Sequence, residues 1–311
     1  MVPRIDIFIL SHNRQDYILE SIDSILQQTF LGYNLYVLDN CSTDNTVNVI
    51  NERHPEIKVL TSSKNLSFLE NFKRIIEHTK ADWVMAFHDD DLIHKDYLSR
   101  VFEFIDINRD ISLVGSNFSG FKNLSIKELN RESLDSEFVI FENQSSFANF
   151  CMTDNAIGFS SCIYKREFLR NILSDLNQYG KMLDRPLMIE NCGTGCILVF
   201  KSYYLNYRLH PKQDSQDSSN GPFLEEGENL VRYYNNIAFK GTFKNKLSFA
   251  ISVNSFVKEI YKWCSDRNST TYFRYKFDLF RYLGLPISVF LPRPITRWLR
   301  KLVKLASRNF Y

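Results

Sequence analysis

Long apolar runs are missing from this chain. No stretch of about 18 uncharged apolar residues occurs in its 311 residues, so no membrane-spanning helix is expected. The opening Met1-Val-Pro-Arg-Ile-Asp6 lacks the apolar segment behind a basic start that marks a secretory signal, and a cytoplasmic location is the expectation. Cysteine is scattered, at positions 41, 151, 162, 192, 196 and 264. Without an export signal these read as reduced thiols. Cys192 and Cys196 have CxxxC spacing, but no second Cys/His pair stands nearby at zinc-finger spacing, which favours buried small residues. There is no internal repeat. No Gly-rich basic loop follows the first apolar run, where Ser11-His-Asn-Arg14 stands instead, and this disfavours a nucleotidyltransferase. No nucleic-acid recognition motif accompanies the basic residues, so no nucleic-acid partner is expected.

What is present is ordinary for a soluble globular protein: 44% hydrophobic and 24% charged residues. Charge is placed unevenly. Residues 244–311 hold fourteen Lys/Arg against three Asp/Glu, a net +11 that leaves −9 on the preceding chain. This implies a basic appendage on an acidic body, with the division placed between residues 1–225 and 226–311. The first 116 residues alternate between two periods. Ile5–Leu10, Asn34–Asp39, Ile57–Leu60, Asp82–Phe87 and Ile111–Gly115 are short runs that suit buried strands. Between them, Ile18, Ile22, Ile25 and Leu26, then Phe68, Phe72, Ile75 and Ile76, then Tyr97, Leu98, Val101, Phe102 and Ile105 recur at helical spacing. The alternation predicts an α/β fold with a mainly parallel sheet flanked by helices. Further on, Phe159–Tyr164 reads as a strand, Arg166–Leu176 as a helix, 211–224 as a polar loop, and the chain after about 230 as helical.

Ligands of such sheets bind beyond the carboxyl ends of the strands. Those ends are Ser11–Arg14, Asp39–Asp44 and His88–Asp91. Asp89, Asp90 and Asp91 are three adjacent carboxylates after an apolar run. They repel one another, and a hard divalent cation, Mg²⁺ or Mn²⁺, relieves that repulsion. A solvated acidic turn capping the next helix is the competing reading.

The N-terminal segments Ile7–Arg14, Ser21–Thr29 and Val37–Thr46, followed in order by Asn65–Asp91, resemble the inverting family 2 glycosyltransferases over roughly the first 100 residues. The resemblance implies a GT-A fold, a nucleotide-sugar donor and a divalent metal held by a DxD-type motif. It places the donor on Ser11, Asn13, Arg14, Asp39, Asn40, Asn65, Asp89 and Arg208, and the metal on Asp90, Asp91 and His210. It puts the strand-end acids that approach the nucleobase at Asp39 and Asn40, with an amide in place of the second acid. His88 stands where the metal motif usually begins with Asp, and Ser11 where the first turn usually has Pro. Which of Asp89, Asp90 and Asp91 binds the metal stays open. Met182–Leu187 resembles the segment carrying the catalytic base, which makes Asp184 the candidate and Glu190 the next; Tyr207–His210 resembles the closing motif.

In the tail, Ile295, Trp298, Leu299, Leu302, Val303, Ala306 and Phe310 alternate with Arg297, Arg300, Lys301, Lys304 and Arg308. The pattern suits a helix in a membrane interface, and equally one packed on the body with a solvated basic face. The combined expectation is an enzyme peripheral to the inner face of the plasma membrane. It would move a hexose, from UDP-hexose as the first guess, to a lipid-linked glycan in O-antigen or capsule synthesis. The alternative is a non-catalytic nucleotide-sugar-binding or scaffold protein of the same fold.

Overall fold

Seven consecutive residues of the first strand, β1 (Ile5–Ser11), are buried. That is the behaviour of a strand covered on both faces. The computed structural model describes residues 4–107, 110–131, 133–153, 157–172, 176–211 and 222–238. The expected tail helix at 294–311 and most of the polar loop at 211–224 lie outside the described residues.

The chain then alternates as expected. It runs through α1 (Ile18–Leu26), β2 (Tyr33–Asp39), α2 (Thr46–Arg53), β3 (Lys58–Thr61), α3 (Phe68–His78), β4 (Trp83–His88), β5 (Leu92–Ile93), α4 (Tyr97–Ile107) and β6 (Ile111–Phe121). After these come α5 (Ile126–Leu129), β7 (Phe138–Phe141), α6 (Gln144–Thr153), a 3-10 turn at Phe159–Ser161 and β8 (Ile163–Lys165). The remainder is α7 (Arg166–Ile172), a 3-10 segment at Asn177–Met182, α8 (Asp184–Asn191), β9 (Cys196–Arg208) and α9 (Pro222–Ala238). The expected division at residue 225 falls inside α9.

Among the described residues the strands form one sheet in the order β3-β2-β1-β4-β8-β6-β9-β5, with β7 beside β9. The pairs β1–β2, β1–β4, β2–β3 and β6–β9 are parallel; β4–β8, β6–β8 and β5–β9 are antiparallel. The order reverses at β1, so the carboxyl ends of β2, β1 and β4 adjoin at a switch point, the usual ligand position in open α/β sheets. On one face Ile5, Ile7 and Ile9 join Ile18, Ile22 and Ile25 of α1, Ile50 of α2 and Val101 of α4 in a common core. Phe8 and Leu10, with the opposite pleat, are also buried. The third helix is pinned by a capping box: Ser67 Oγ accepts from Glu70 N, and the Glu70 carboxylate accepts from Ser67 N.

Two compact units divide the chain. The first is Met1–Ile140, Ala156–Asp175 and Asn191–His210; the second is Phe141–Asn155, Leu176–Glu190 and Pro211–Tyr311. The first unit holds the sheet. The second, in its described part, buries Phe147, Ala148, Leu183, Leu187, Met188, Leu230 and Tyr234. No helix among the described residues is long and apolar enough to cross a membrane.

Candidate functional site

The parallel register sets Ser11 beside Asp39 and Leu10 beside His88. The three loops that leave these strands are tied together by side chains. Asn13, in the left-handed region at φ 53°, accepts through Oδ1 from Thr43 N at 2.7 Å and Asp44 N at 3.3 Å, while its own N–H donates to Ser42 Oγ at 2.9 Å. Arg14 N donates to Thr46 Oγ1 at 2.8 Å. Asp39 is fully buried. Its Oδ2 accepts from Ser42 N at 3.2 Å, and its Oδ1 has no hydrogen-bond partner among the described residues. Asn40, by contrast, spends its amide on Asn65 and Leu66.

The turn after β4 brings all three acids inside, at 6%, 8% and 1% exposure for Asp89, Asp90 and Asp91. Asp89 Oδ2 accepts from His12 N at 3.0 Å, and Arg14 Nε lies 3.4 Å from Asp89 Oδ1 and 3.8 Å from Asp90 Oδ2. Both oxygens of Asp91 are engaged: Oδ1 by Arg208 N at 3.2 Å and Oδ2 by the Ser160 hydroxyl at 2.6 Å. His210 Nε2 lies 2.9 Å from Asp90 Oδ2. Burial first, and the Asp90 charge second, push the Asp89 carboxyl up to about 8, against the pull of Arg14, Ser11 and His12 N–H. The same two causes raise Asp91 well above the ordinary carboxylate range. A buried cluster in that condition favours bound cations or protons.

His88, Asp90 and Asp91 each present a ligand atom, and the three atoms lie within 4.8 Å of one another. Oxygen donors with an imidazole suit Mn²⁺ or Mg²⁺. His210 and Arg14 both approach Asp90 at Oδ2. His210, expected among the ligands, contacts Asp90; the group of three contains His88.

Arg208 closes the turn from β9. Its Nε donates to the Asp90 carbonyl at 2.8 Å, its Nη2 pairs with Glu20 of α1, and its guanidinium lies 5.1 Å from the Tyr17 ring centroid and 4.7 Å from that of Phe121. Sequence reasoning missed Glu20, Tyr17 and Ser160. They carry no motif, and only the fold brings Ser160 to Asp91 and Glu20 and Tyr17 to Arg208.

Asp184 belongs to the second unit. It opens α8, and its Oδ2 is 4.0 Å from Arg185 Nε. Glu190 of the same unit accepts from Tyr233 OH at 2.6 Å and Gln144 Nε2 at 3.1 Å, one on each oxygen. Asp184, one-third exposed, is the less encumbered acid of the two.

A doubly covered sheet with acids gathered at its switch point fits the GT-A architecture that the resemblance implies, and known proteins agree. The chain belongs to glycosyl transferase family 2: the model of that family matches residues 6–173. It is 22% identical over 249 residues to an "uncharacterized glycosyltransferase" of Haemophilus influenzae, covering 76% of each. It is 28% identical over 207 residues to the abequosyltransferase RfbV of Salmonella typhimurium, covering 62% of each. Among solved structures, S. aureus TarS 1–349 in complex with UDP-GlcNAc superposes with a TM-score of 0.62 at 14% identity, over 90% of this chain and 81% of that one. The mannosyltransferase PcManGT of Pyrobaculum calidifontis, in complex with GDP-Man and Mn²⁺, gives 0.50 at 14% identity, over 99% and 86%. These structures share the fold.

Proposed function

We propose that the protein transfers a hexose from a nucleotide diphosphate sugar, UDP-hexose in the first instance, to a hydroxyl of a lipid-linked glycan, with inversion at the transferred carbon. The observation that carries this reading is the pairing of Asp39 with the acidic turn at one sheet edge. Asp39 ends β2 and His88 ends β4, with β1 between them. At a strand spacing of about 4.8 Å they stand roughly 10 Å apart, the reach of a nucleoside diphosphate from base to phosphates. The buried Oδ1 of Asp39, unpartnered among the described residues, suits a base N–H. Ser11, Asn13 and Arg14 shape the floor between, and Asn40 and Asn65 the wall beyond Asp39. Asp89 sits where ribose and diphosphate meet.

A divalent cation at Asp90 and Asp91, with His88 or His210 beside it, would neutralise charge growing on the leaving diphosphate. The protein's own part is to hold that turn still. Arg208 braces it through the Asp90 carbonyl, and His210 fixes the Asp90 carboxylate. Asp184 takes the acceptor's hydroxyl proton onto a carboxylate oxygen as the hydroxyl attacks from the face opposite the diphosphate. A relative named for polymer synthesis, the succinoglycan biosynthesis protein ExoO of Rhizobium meliloti, 24% identical over 183 residues, supports a role in O-antigen or capsule assembly. The basic tail would dock on the inner face of the membrane.

A panel of nucleotide sugars, assayed for Mn²⁺-dependent release of nucleoside diphosphate, tests the reading. Release from one or two donors, abolished by EDTA, is expected. No release from any donor, with or without acceptor extract, would overturn it.

A further inference from the structure

Asn40 stands where the family resemblance implies an acid, and its surroundings account for the amide. The parallel pairing of β2 and β3 ends at Asp39 and Thr61, with one more backbone bond from Ser62 N to the Asp39 carbonyl at 2.9 Å. Beyond that point the Asn40 side chain continues the pairing. Its Oδ1 accepts from Leu66 N at 2.8 Å and from the Ser62 hydroxyl at 3.4 Å. Its Nδ2 donates to the Leu66 carbonyl at 3.0 Å and to Asn65 Oδ1 at 2.8 Å. Toward Leu66 it thus presents one acceptor and one donor, as a strand backbone does. An amide carries a donor and an acceptor on two adjacent atoms of one short side chain, which a carboxylate does not. A carboxylate would accept from Leu66 N but set an anionic oxygen against two acceptors, the Leu66 carbonyl and Asn65 Oδ1.

We propose that Asn40 and Asn65 are positioning residues, a clasp that holds the 62–66 loop as the wall of the nucleobase pocket and leaves base reading to Asp39 alone. This rests on the nucleotide-sugar reading above. With a single carboxylate oxygen at that point, the pocket takes bases that offer a ring N–H beside a carbonyl, as uracil, thymine and guanine do. Cytosine and adenine offer a ring nitrogen acceptor there and are refused.

The test uses calorimetric binding of UDP, dTDP, GDP, CDP and ADP in Mn²⁺, with inorganic pyrophosphate as a probe of the phosphate end. Wild type should bind one of the first three tightest, at least about tenfold better than CDP. Asn40→Asp should weaken that nucleotide by about tenfold or more and leave pyrophosphate within about twofold. Adding Asn65→Lys, which replaces an exposed acceptor by a cationic donor, should restore most of the loss. Equal weakening of nucleotide and pyrophosphate, or no weakening, overturns the clasp. A wild-type preference for CDP or ADP overturns base reading by Asp39. Binding of no nucleoside diphosphate at all overturns the parent reading instead. Should the variants fold poorly, hydrogen exchange at Leu66 N–H in the wild type decides. Protection comparable to the β2–β3 ladder is expected, and exchange as fast as an open loop contradicts the proposal.

Discussion

Replacing Arg208 by Met separates two roles for this side chain, a brace for the acidic turn and a contact to the donor. Arg208 is 6% exposed. Its bond to the Asp90 carbonyl joins a charged donor to a neutral acceptor, a kind that contributes about 1.5–3 kcal/mol. The ion pair with Glu20 adds less than about 1 kcal/mol, because Glu20 is 52% exposed and stays hydrated without its partner. The faces of Tyr17 and Phe121 contribute about 0.5–2 kcal/mol each. Met keeps much of the apolar bulk, so the expected loss is about 3–5 kcal/mol, a large share of the 5–15 kcal/mol typical of a folded domain. Arg208→Lys keeps the charge without the planar fork and should lose about half as much. Urea denaturation of the metal-free protein measures both. A brace predicts stability and Mn²⁺ affinity falling together. An Arg208→Met protein within about 1 kcal/mol of wild type, with donor affinity down more than tenfold, would refute the brace and make Arg208 a donor ligand.

Asp90→Ala should abolish transfer and Mn²⁺-dependent donor binding, measured by calorimetry, with Asp89→Ala and Asp91→Ala close behind. The metal-free protein should lose stability as pH rises from about 4, where free carboxyls ionise, to about 8, where Asp89 does. Acids raised in the folded state hold protons that the unfolded chain has released, so the slope is negative, up to about 1.4 kcal/mol per pH unit for each extra proton. Thermal midpoints at pH 5 and pH 8, with and without Mn²⁺, check this, and Mn²⁺ should flatten the difference. Asp184→Asn should keep donor affinity and lower turnover about 10²-fold or more, while Glu190→Gln costs mainly stability through its bonds to Tyr233 and Gln144. Removing residues 294–311 should release the protein from anionic liposomes in flotation at low salt and leave transfer to a short soluble acceptor largely intact.

The sequence made the donor half of the site legible because it is local. Each of β1, β2 and β4 is a short apolar run ending in polar residues, and chain order alone brings their ends to one edge. The brace was illegible for the opposite reason. Arg208 reaches Glu20 across 188 residues of chain and Ser160 reaches Asp91 across 69, and no periodicity encodes either meeting. Between Met182 and Val199 the sequence begins acidic and ends apolar, with no single period to follow. The chain there holds α8, a turn and the start of β9. At Gly195 an added Cβ would come within 2.5 Å of the Asp110 carbonyl oxygen, so a glycine fits where the turn passes β6. The second helix escaped notice because Thr46–Arg53 buries only Thr46 and Ile50, too few for a stripe. Asn40 was visible as a departure from the family, but its meaning depended on Leu66 lying opposite.

The central claim is that Asp39 and the acidic turn grip the two ends of one nucleoside diphosphate. Calorimetric titration of UDP into wild type, Asp39→Ala and Asp90→Ala, each with and without Mn²⁺, measures it most directly. For wild type the account predicts affinity at least about tenfold higher with Mn²⁺. Asp90→Ala should erase that gain, and Asp39→Ala should weaken UDP while keeping the Mn²⁺ gain. UDP binding that ignores Mn²⁺ and both substitutions would contradict the account.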